Sequence, residues 1–507
     1  MSSLATLIKE SAVAKSLKAT ASGAITAGKP VIVNSTGTVT QVTETLFTSN
    51  AIGTPDNAGS SYRAGNESGA CYHTGINRTI LSFPNSGNSY YATCTTATIS
   101  GTTMTINTPT VINSTACAYA GCAYVDDAGT AKDKNVVVFF YKYNGGTNRG
   151  KIKAATVSGN SFTFGSEEHA FGTNFTLGNS HGDICNVDEG AVALAWGDGS
   201  SNSRACVQAV TCTGTDGLAL NAGTKAEIST ARGWSIRVAS GKKGELLCTM
   251  GNTGHMRLTA STVSGNTVSP GTFTELSGNS VMHNLASGFW DGYTTPESTY
   301  IAVYQNPGGS EGDAVARLIT VSGTTLTLNA TTSLDADPNS NMPGMGWGSS
   351  PTQALFYYRS VASSSEGHIV ELSYSGTTIT EGEDTTTNSG AYHMWGVAWD
   401  PDAEKSIFMY QDWQNSDAAG VNCYTPTSST TNLTAANFAG ISQGAVSNAE
   451  EASVIVQGGT ATNLTGLTVG SNYYSAKDGT LGTSNVAPYV KVGKAISTTS
   501  LILTGDS

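Results

Sequence analysis

The sequence predicts an all-β chain, a seven-bladed β-propeller with four-stranded blades inserted into a small β domain made from both chain ends. Three observations predict it: an apolar run recurring seven times, a glycine turn following six of those runs, and a matched pattern at the two ends. The runs end at Phe83, Tyr141, Trp196, Met250, Tyr304, Tyr358 and Tyr410, with a mean spacing of about 54 residues. That is a period of propeller length.

Downstream of the first six runs stand Ser100-Gly101, Ser158-Gly159, Thr213-Gly214, Ser264-Gly265, Ser322-Gly323 and Ser375-Gly376. Residues on either side tend to alternate, as in Leu318-Ile-Thr-Val-Ser-Gly-Thr-Thr-Leu-Thr-Leu328, which is the mark of a hairpin around glycine. The seventh unit reads Tyr424-Thr-Pro-Thr427 there, so its last hairpin should differ. Ahead of the run, Met394 to Tyr410 reads as strand, acidic turn, strand. Each unit therefore holds about four short strands. A linear solenoid would need polar terminal caps, yet the first and last units keep the apolar run.

The flanks share one pattern. Gly28 and Gly470 are each followed three residues later by an apolar or aromatic pair, Val31-Ile32 and Tyr473-Tyr474, and nine residues later by Gly-Thr. The ends of a closed propeller lie close together, which makes insertion into such a domain easy. The expected divisions are residues 1–20 as an N-terminal helix or arm, 21–61 and 441–507 as the two parts of the small β domain, and 62–440 as the propeller. Leu4, Leu7, Ile8, Ala12 and Leu17 give residues 3–18 a partial helical stripe.

Several segments resemble repeats of virion proteins from marine tailed bacteriophages. They are Ala398 to Asp412, Ala154 to Gly165 and Ile319 to Leu328. The tail is similar to the same family in Asn437-Phe-Ala-Gly-Ile-Ser442, Val456 to Leu467, Tyr473 to Thr480 and Val490 to Ile496. The resemblance covers roughly residues 20–507. It implies a surface protein of the virion, a tail fibre, appendage or capsid decoration, and it implies no catalytic residues. The first unit, Cys71 to Gly101, departs from the repeat in lacking a clear acidic turn.

Composition narrows the function. Charged residues are 12% of the 507 and the net charge is −12, with no basic cluster long enough to follow a phosphate backbone. Nucleic acid is not expected as a partner on that ground. No apolar stretch approaches a membrane span, and Lys9 and Glu10 interrupt the run a signal peptide would need. Nine cysteines without a Cys-x-x-Cys pair read as reduced, small strand residues. Neither a cofactor nor a metal site is expected.

Enzyme motifs are weak. Asp126-Asp-Ala-Gly-Thr130 reads as a solvated turn, and the neighbours Glu167/Glu168 and Glu450/Glu451 would alternate faces of a strand. Gly178-Asn-Ser-His-Gly182 and Gly440-Ile-Ser-Gln-Gly444 match a nucleophile elbow but lack the helix it requires. The chain is therefore expected not to be an enzyme.

One column of residues could bind. Counting back from each expected innermost strand gives His73, Tyr119, His181, Arg232, His283, Met342 and His393, in a loose register. Imidazoles, a phenol and a guanidinium at one channel mouth would supply donors and π-faces for a sugar or ion. A wet strand entrance holding only water is the alternative. The expected function is host attachment from the virion surface through weak, multivalent glycan binding. A purely structural capsid or tail protein is the first alternative and a lectin the second. Other virion proteins and a host surface glycan are the expected partners, with the protein itself a homo-oligomer.

Overall fold

The computed structural model describes residues 15–504 apart from 48–50, 54–55, 58–66, 144–149, 170–181, 189, 199–203, 233, 242, 253–254, 277–285, 289–297, 306–313, 337–343, 348–352, 361–365, 390, 413–417, 427, 435, 477 and 484–489. The described residues are strands and turns, with one short 3-10 turn at Ser86–Asn88 and no α-helix. The chain forms two compact units. One is Ser49–Pro426, and the other joins Met1–Thr48 to Thr427–Ser507.

The larger unit is a succession of antiparallel four-strand meanders. The first comprises Glu67–His73, Arg78–Asn85, Tyr91–Ser100 and Thr103–Ile106. The second comprises the last part of Thr110–Ala128, then Lys134–Tyr143, Gly150–Ser158 and Ser161–His169. These two join in one eight-stranded sheet through the parallel pairs Tyr119↔Glu67 and Ala120↔Ser68. Five further meanders begin at Asp183, Trp234, Ala286, Gly344 and Ala391.

All seven run-ending residues fall on the second strand of their meanders and are buried to 3% exposure or less. That strand has neighbours against both of its faces, which is why it reads as an unbroken apolar run. In the second meander Val137 and Phe139 pack toward the first, while Val138 and Phe140 pack toward the third. Further clusters join the third to the fourth meander (Val207, Leu246), the fourth to the fifth (Leu258, Tyr300) and the fifth to the sixth (Val303, Phe356). Tyr357 and Phe408 join the sixth to the seventh, their rings 4.8 Å apart. A last cluster, Met409 with Phe83, joins the seventh back to the first.

Gly101, Gly159, Gly214, Gly265, Gly323 and Gly376 occupy the turns between third and fourth strands, at φ between 57° and 84°. Only glycine enters that region without a Cβ penalty. The seventh meander lacks this hairpin. Its fourth position is filled from the other end of the chain, where Ile52 pairs with Tyr424 and Ala51 with Thr425. Asp56–Asn57 pairs further along the same strand.

That borrowed strand moves the expected division. Ala51–Ile52 and Asp56–Asn57 were expected in the small β domain and instead complete the seventh meander, so the boundary falls at 49 rather than 62. At the far side it falls at 426 rather than 440, because Ser428–Thr431 pairs with Glu44–Phe47 and Phe438–Ser442 with Pro30–Val33.

In the smaller unit one sheet runs in the order Ser16–Thr20, Glu451–Ile455, Phe438–Ser442, Pro30–Val33, Val39–Gln41. A second contains Thr460–Ala461, Leu501–Leu503, Val490–Ala495, Asn472–Ser475 and Leu481–Gly482. The matched flank patterns are hairpins in these two sheets, with Gly28, Gly37, Gly470 and Gly479 all at positive φ. The helical stripe is corrected over its described part. Ser16–Thr20 is a strand, aligned Leu17↔Val454 and tied by Lys18 to Glu451. Cross-strand bonding outweighs a short helical period that has no partner of its own. Residues 1–14 lie outside the described set.

Candidate functional site

The residues of the expected binding column separate. His73 ends its strand, pairing with Arg78 at the first hairpin, while Glu67 at the start of that strand lies level with Tyr119. His73 is thus at the opposite end of its meander from the column. It is 1% exposed, its ring centroid is 4.6 Å from that of Tyr124, and no other described residue offers either ring nitrogen a hydrogen bond. Burial lowers its pKa to about 4. A neutral, buried imidazole is core, not receptor surface.

Tyr119 is also core. It is 7% exposed and meets Phe140 edge-on at 5.1 Å. Gly121 leaves the space its hydroxyl needs, since a Cβ there would come within 2.5 Å of it. Arg232 and His393 are placed by backbone alone, Arg232 opposite Arg204 and His393 within Ala391–Asp400. His181, His283 and Met342 lie outside the described residues, as does most of the match at 178–182. Ser442 of the other elbow match is buried in a strand and donates to the Gly444 carbonyl at 2.6 Å, so it is not an exposed nucleophile.

A different set of side chains recurs where the second strand of a meander passes to the third. In the third meander Arg204 Nη1 donates to Glu227 Oε2 at 2.8 Å. Lys225 bonds the buried Asp198 beside them, and that bond raises the Lys225 pKa. In the fourth, Arg257 Nη2 donates to Glu275 Oε2 at 3.4 Å, and Cζ lies 4.9 Å from the ring of the exposed Phe273. The Nε of Arg257 is buried without a partner among the described residues. In the sixth, His368 Nδ1 is 2.8 Å from Asp384 Oδ2, which also accepts from the Tyr358 hydroxyl at 2.8 Å. The imidazole stacks on Tyr358, centroids 5.4 Å apart.

Strand pairing generates this recurrence. Arg257 and His368 stand directly opposite the run-ending Met250 and Tyr358. The carboxylates reach them from the adjoining strands, Glu275 as Arg257's cross-strand partner. The groups are guanidinium forks or an imidazole, each beside a carboxylate, and one stands beside an open aromatic face. Such groups can donate to and accept from vicinal hydroxyls and cover an apolar ring face. No set of three or more His, Cys, Asp or Glu among the described residues is grouped to hold a metal ion. All nine cysteines are free, and burial pushes Cys117, Cys206, Cys212 and Cys248 up to about 12, leaving those thiols unreactive. No helix among the described residues is long and apolar enough to cross a membrane.

The chain matches no protein-family model and no curated protein. Among solved structures it is similar to the BP39L lectin of Burkholderia pseudomallei at 10% identity and a TM-score of 0.50, over 73% of this chain and 98% of that one. A putative 6-phosphogluconolactonase of Bacteroides fragilis aligns at 10% identity and a TM-score of 0.46, over 71% and 99% of the two chains. The Aleuria aurantia lectin aligns at 11% identity and 0.41, over 65% and 98%. At this identity the first likeness establishes the fold alone. The chain shares the all-β fold of that Burkholderia lectin over the aligned part.

Proposed function

We propose that the seven meanders close as a seven-bladed propeller and that this propeller binds carbohydrate without catalysing a reaction. The borrowed strand at 51–57 and the cluster joining Met409 to Phe83 support closure. The observation that carries the binding role is the recurrence of a guanidinium or imidazole beside a carboxylate at one end of the third, fourth and sixth meanders, with exposed Phe273 against Arg257. The fold likeness to the Burkholderia lectin agrees with it. Each polar contact contributes about 1 kcal/mol net, so one propeller holds a glycan weakly and useful adhesion comes from many copies. The test is a glycan array probed with the multimerised full chain. Binding that Phe273→Ala reduces about tenfold, with unchanged thermal stability, supports the reading. No bound glycan at any density sinks it.

The resemblance of the repeats and the terminal segments to phage virion proteins supports a location for this binder. We place it on the virion surface, in contact with other virion proteins and self-associated, where glycan binding serves host attachment. Particles lacking the protein decide between this and a purely structural role. Lost adsorption with intact particles favours attachment, and failed assembly favours the structural role.

A further inference from the structure

We infer that Cys71 and Cys122 form a modification site, a dithiol that closes to a disulfide and staples the first meander to the second. The inference stands apart from the carbohydrate reading. Cys71 lies on the first strand of the first meander, Glu67–His73, and Cys122 on the long strand Thr110–Ala128 that opens the second. The two strands run parallel, aligned Tyr119↔Glu67 and Ala120↔Ser68. Next along them come Gly121 and Gly69, whose lack of side chains lets the backbones approach closely. A Cβ at Gly69 would lie 2.6 Å from the Cys122 nitrogen and 2.7 Å from the Gly121 Cα. Cys71 is two residues past Gly69, so strand alternation turns its side chain the same way, toward Thr110–Ala128.

Both side chains enter one apolar cluster, with Ile80, Cys94 and Phe139. There the Cys71 thiol is hydrogen-bonded with that of Cys122. Neighbouring backbones with their thiols in contact are the arrangement a disulfide requires. Exposure is divided between the two. Cys122 is 4% exposed and its Sγ is 3.8 Å from the Ile80 carbonyl, whereas Cys71 is half-buried and so within reach of a small oxidant. Cys94 is the competing thiol, within electrostatic reach of both but fully buried. The thiols of the next joint are arranged differently. Cys185 bonds Ser240, with Cys248 only within electrostatic reach.

The reaction is thiol–disulfide exchange, with a small-molecule disulfide as the oxidant. The Cys71 sulfur, having lost its proton, attacks one sulfur of the oxidant, whose S–S bond breaks and releases one thiol. The deprotonated Cys122 sulfur then attacks the Cys71 sulfur and releases the second thiol. The two protons of the cysteines end on the released thiols, and the electron pair the cysteines give up reduces the oxidant. Burial, then the contact with Cys122, holds the Cys71 thiol above its ordinary pKa, so the first attack is slow at neutral pH. The loop so closed, from 71 to 122, contains the remaining strands of the first meander. A bond there fixes the joint between the first and second meanders, leaving the packed joint to the seventh as the one that can open. It forms once the folded chain meets an oxidising medium.

In the experiment the folded full chain is incubated with oxidised glutathione at about pH 8.5, where more thiolate is present. Remaining thiols are alkylated with iodoacetamide and the chain is digested with chymotrypsin. Cleavage after Tyr72, Tyr91, Tyr119 and Tyr124 places Cys71, Cys94 and Cys122 in separate peptides, which mass spectrometry reads as linked pairs. The expected product is the Cys71–Cys122 pair, two hydrogens lighter than its parts and about tenfold more abundant than any other pair. Oxidation should raise the thermal midpoint by about 5 °C, and dithiothreitol should reverse the rise. In Cys71→Ser neither the linked pair nor the rise should appear. Peptide mapping needs no variant, so a misfolded Cys71→Ser leaves the inference decidable. Linkage of Cys71 to Cys94, glutathione retained on Cys71, or no oxidation of the folded chain each overturns the dithiol site. A Cys71–Cys122 bond that leaves the midpoint unchanged overturns the staple.

Discussion

Burial of the His73 imidazole ties folding stability to pH. Its folded pKa of about 4 lies below the value of about 6.5 for an exposed histidine, so the unfolded chain binds the extra proton first. Stability from this group is complete above about pH 6.5 and is lost as the pH falls toward 4. Its share of the loss between pH 7 and 4.5 is about 2 kcal/mol. Denaturant unfolding at the two pH values should show it, and His73→Leu should lose that share of the dependence. An unchanged dependence in the variant would assign the acid sensitivity elsewhere. At other positions packing outweighs titration. Trp196, 1% exposed between the second and third meanders, should cost about 3–5 kcal/mol when changed to Ala, read as a lower denaturation midpoint.

Turns and single strands were legible in the sequence to different degrees. The second strands were plain because burial on both faces leaves no room for polar residues, as in Val136 to Tyr141. The glycine turns were plain because positive φ selects one residue type. Gly323 has open space where a Cβ would stand, so Gly323→Ala should cost only the backbone strain, about 1 kcal/mol in thermal or chemical unfolding. The borrowed strand was not legible. Residues 51–57 carry no repeat signal, and their partners lie some 370 residues away. A Cβ at Gly53 would approach the Thr102 carbonyl to 2.7 Å and strike the Cys423 sulfur as well. Gly53→Val should therefore loosen this strand, and limited proteolysis should cut near residue 53 before any other site. The cation–carboxylate groups were hidden for a related reason. Arg257 and Glu275 are 18 residues apart, Arg204 and Glu227 are 23, and only strand register brings them together. Of the histidine column, Tyr119 is core, Arg232 and His393 are placed by backbone alone, and His181, His283 and Met342 lie outside the described residues. At His73 the column slipped by the length of a strand.

At the scale of the molecule, the two units draw on the chain differently. The larger is one continuous stretch, 49–426, with an apolar cluster between every pair of successive meanders. Expressed alone, that fragment should fold cooperatively, with a β-type circular dichroism spectrum and a sharp thermal transition. A molten fragment would show that the larger unit depends on the flanks. The smaller unit needs both ends of the chain, since Pro30–Val33 pairs with Phe438–Ser442. The borrowed strand has a consequence for synthesis. Residues 51–57 leave the ribosome some 360 residues ahead of their partners and must wait, unpaired, until residues 418–425 follow. Six meanders can form in order during that interval, but the seventh cannot be completed until residues 418–425 have been made. Slowing the ribosome just ahead of residue 418 would then prolong exposure of an open strand edge, and the yield of soluble protein should fall more than with an equal delay placed ahead of residue 51.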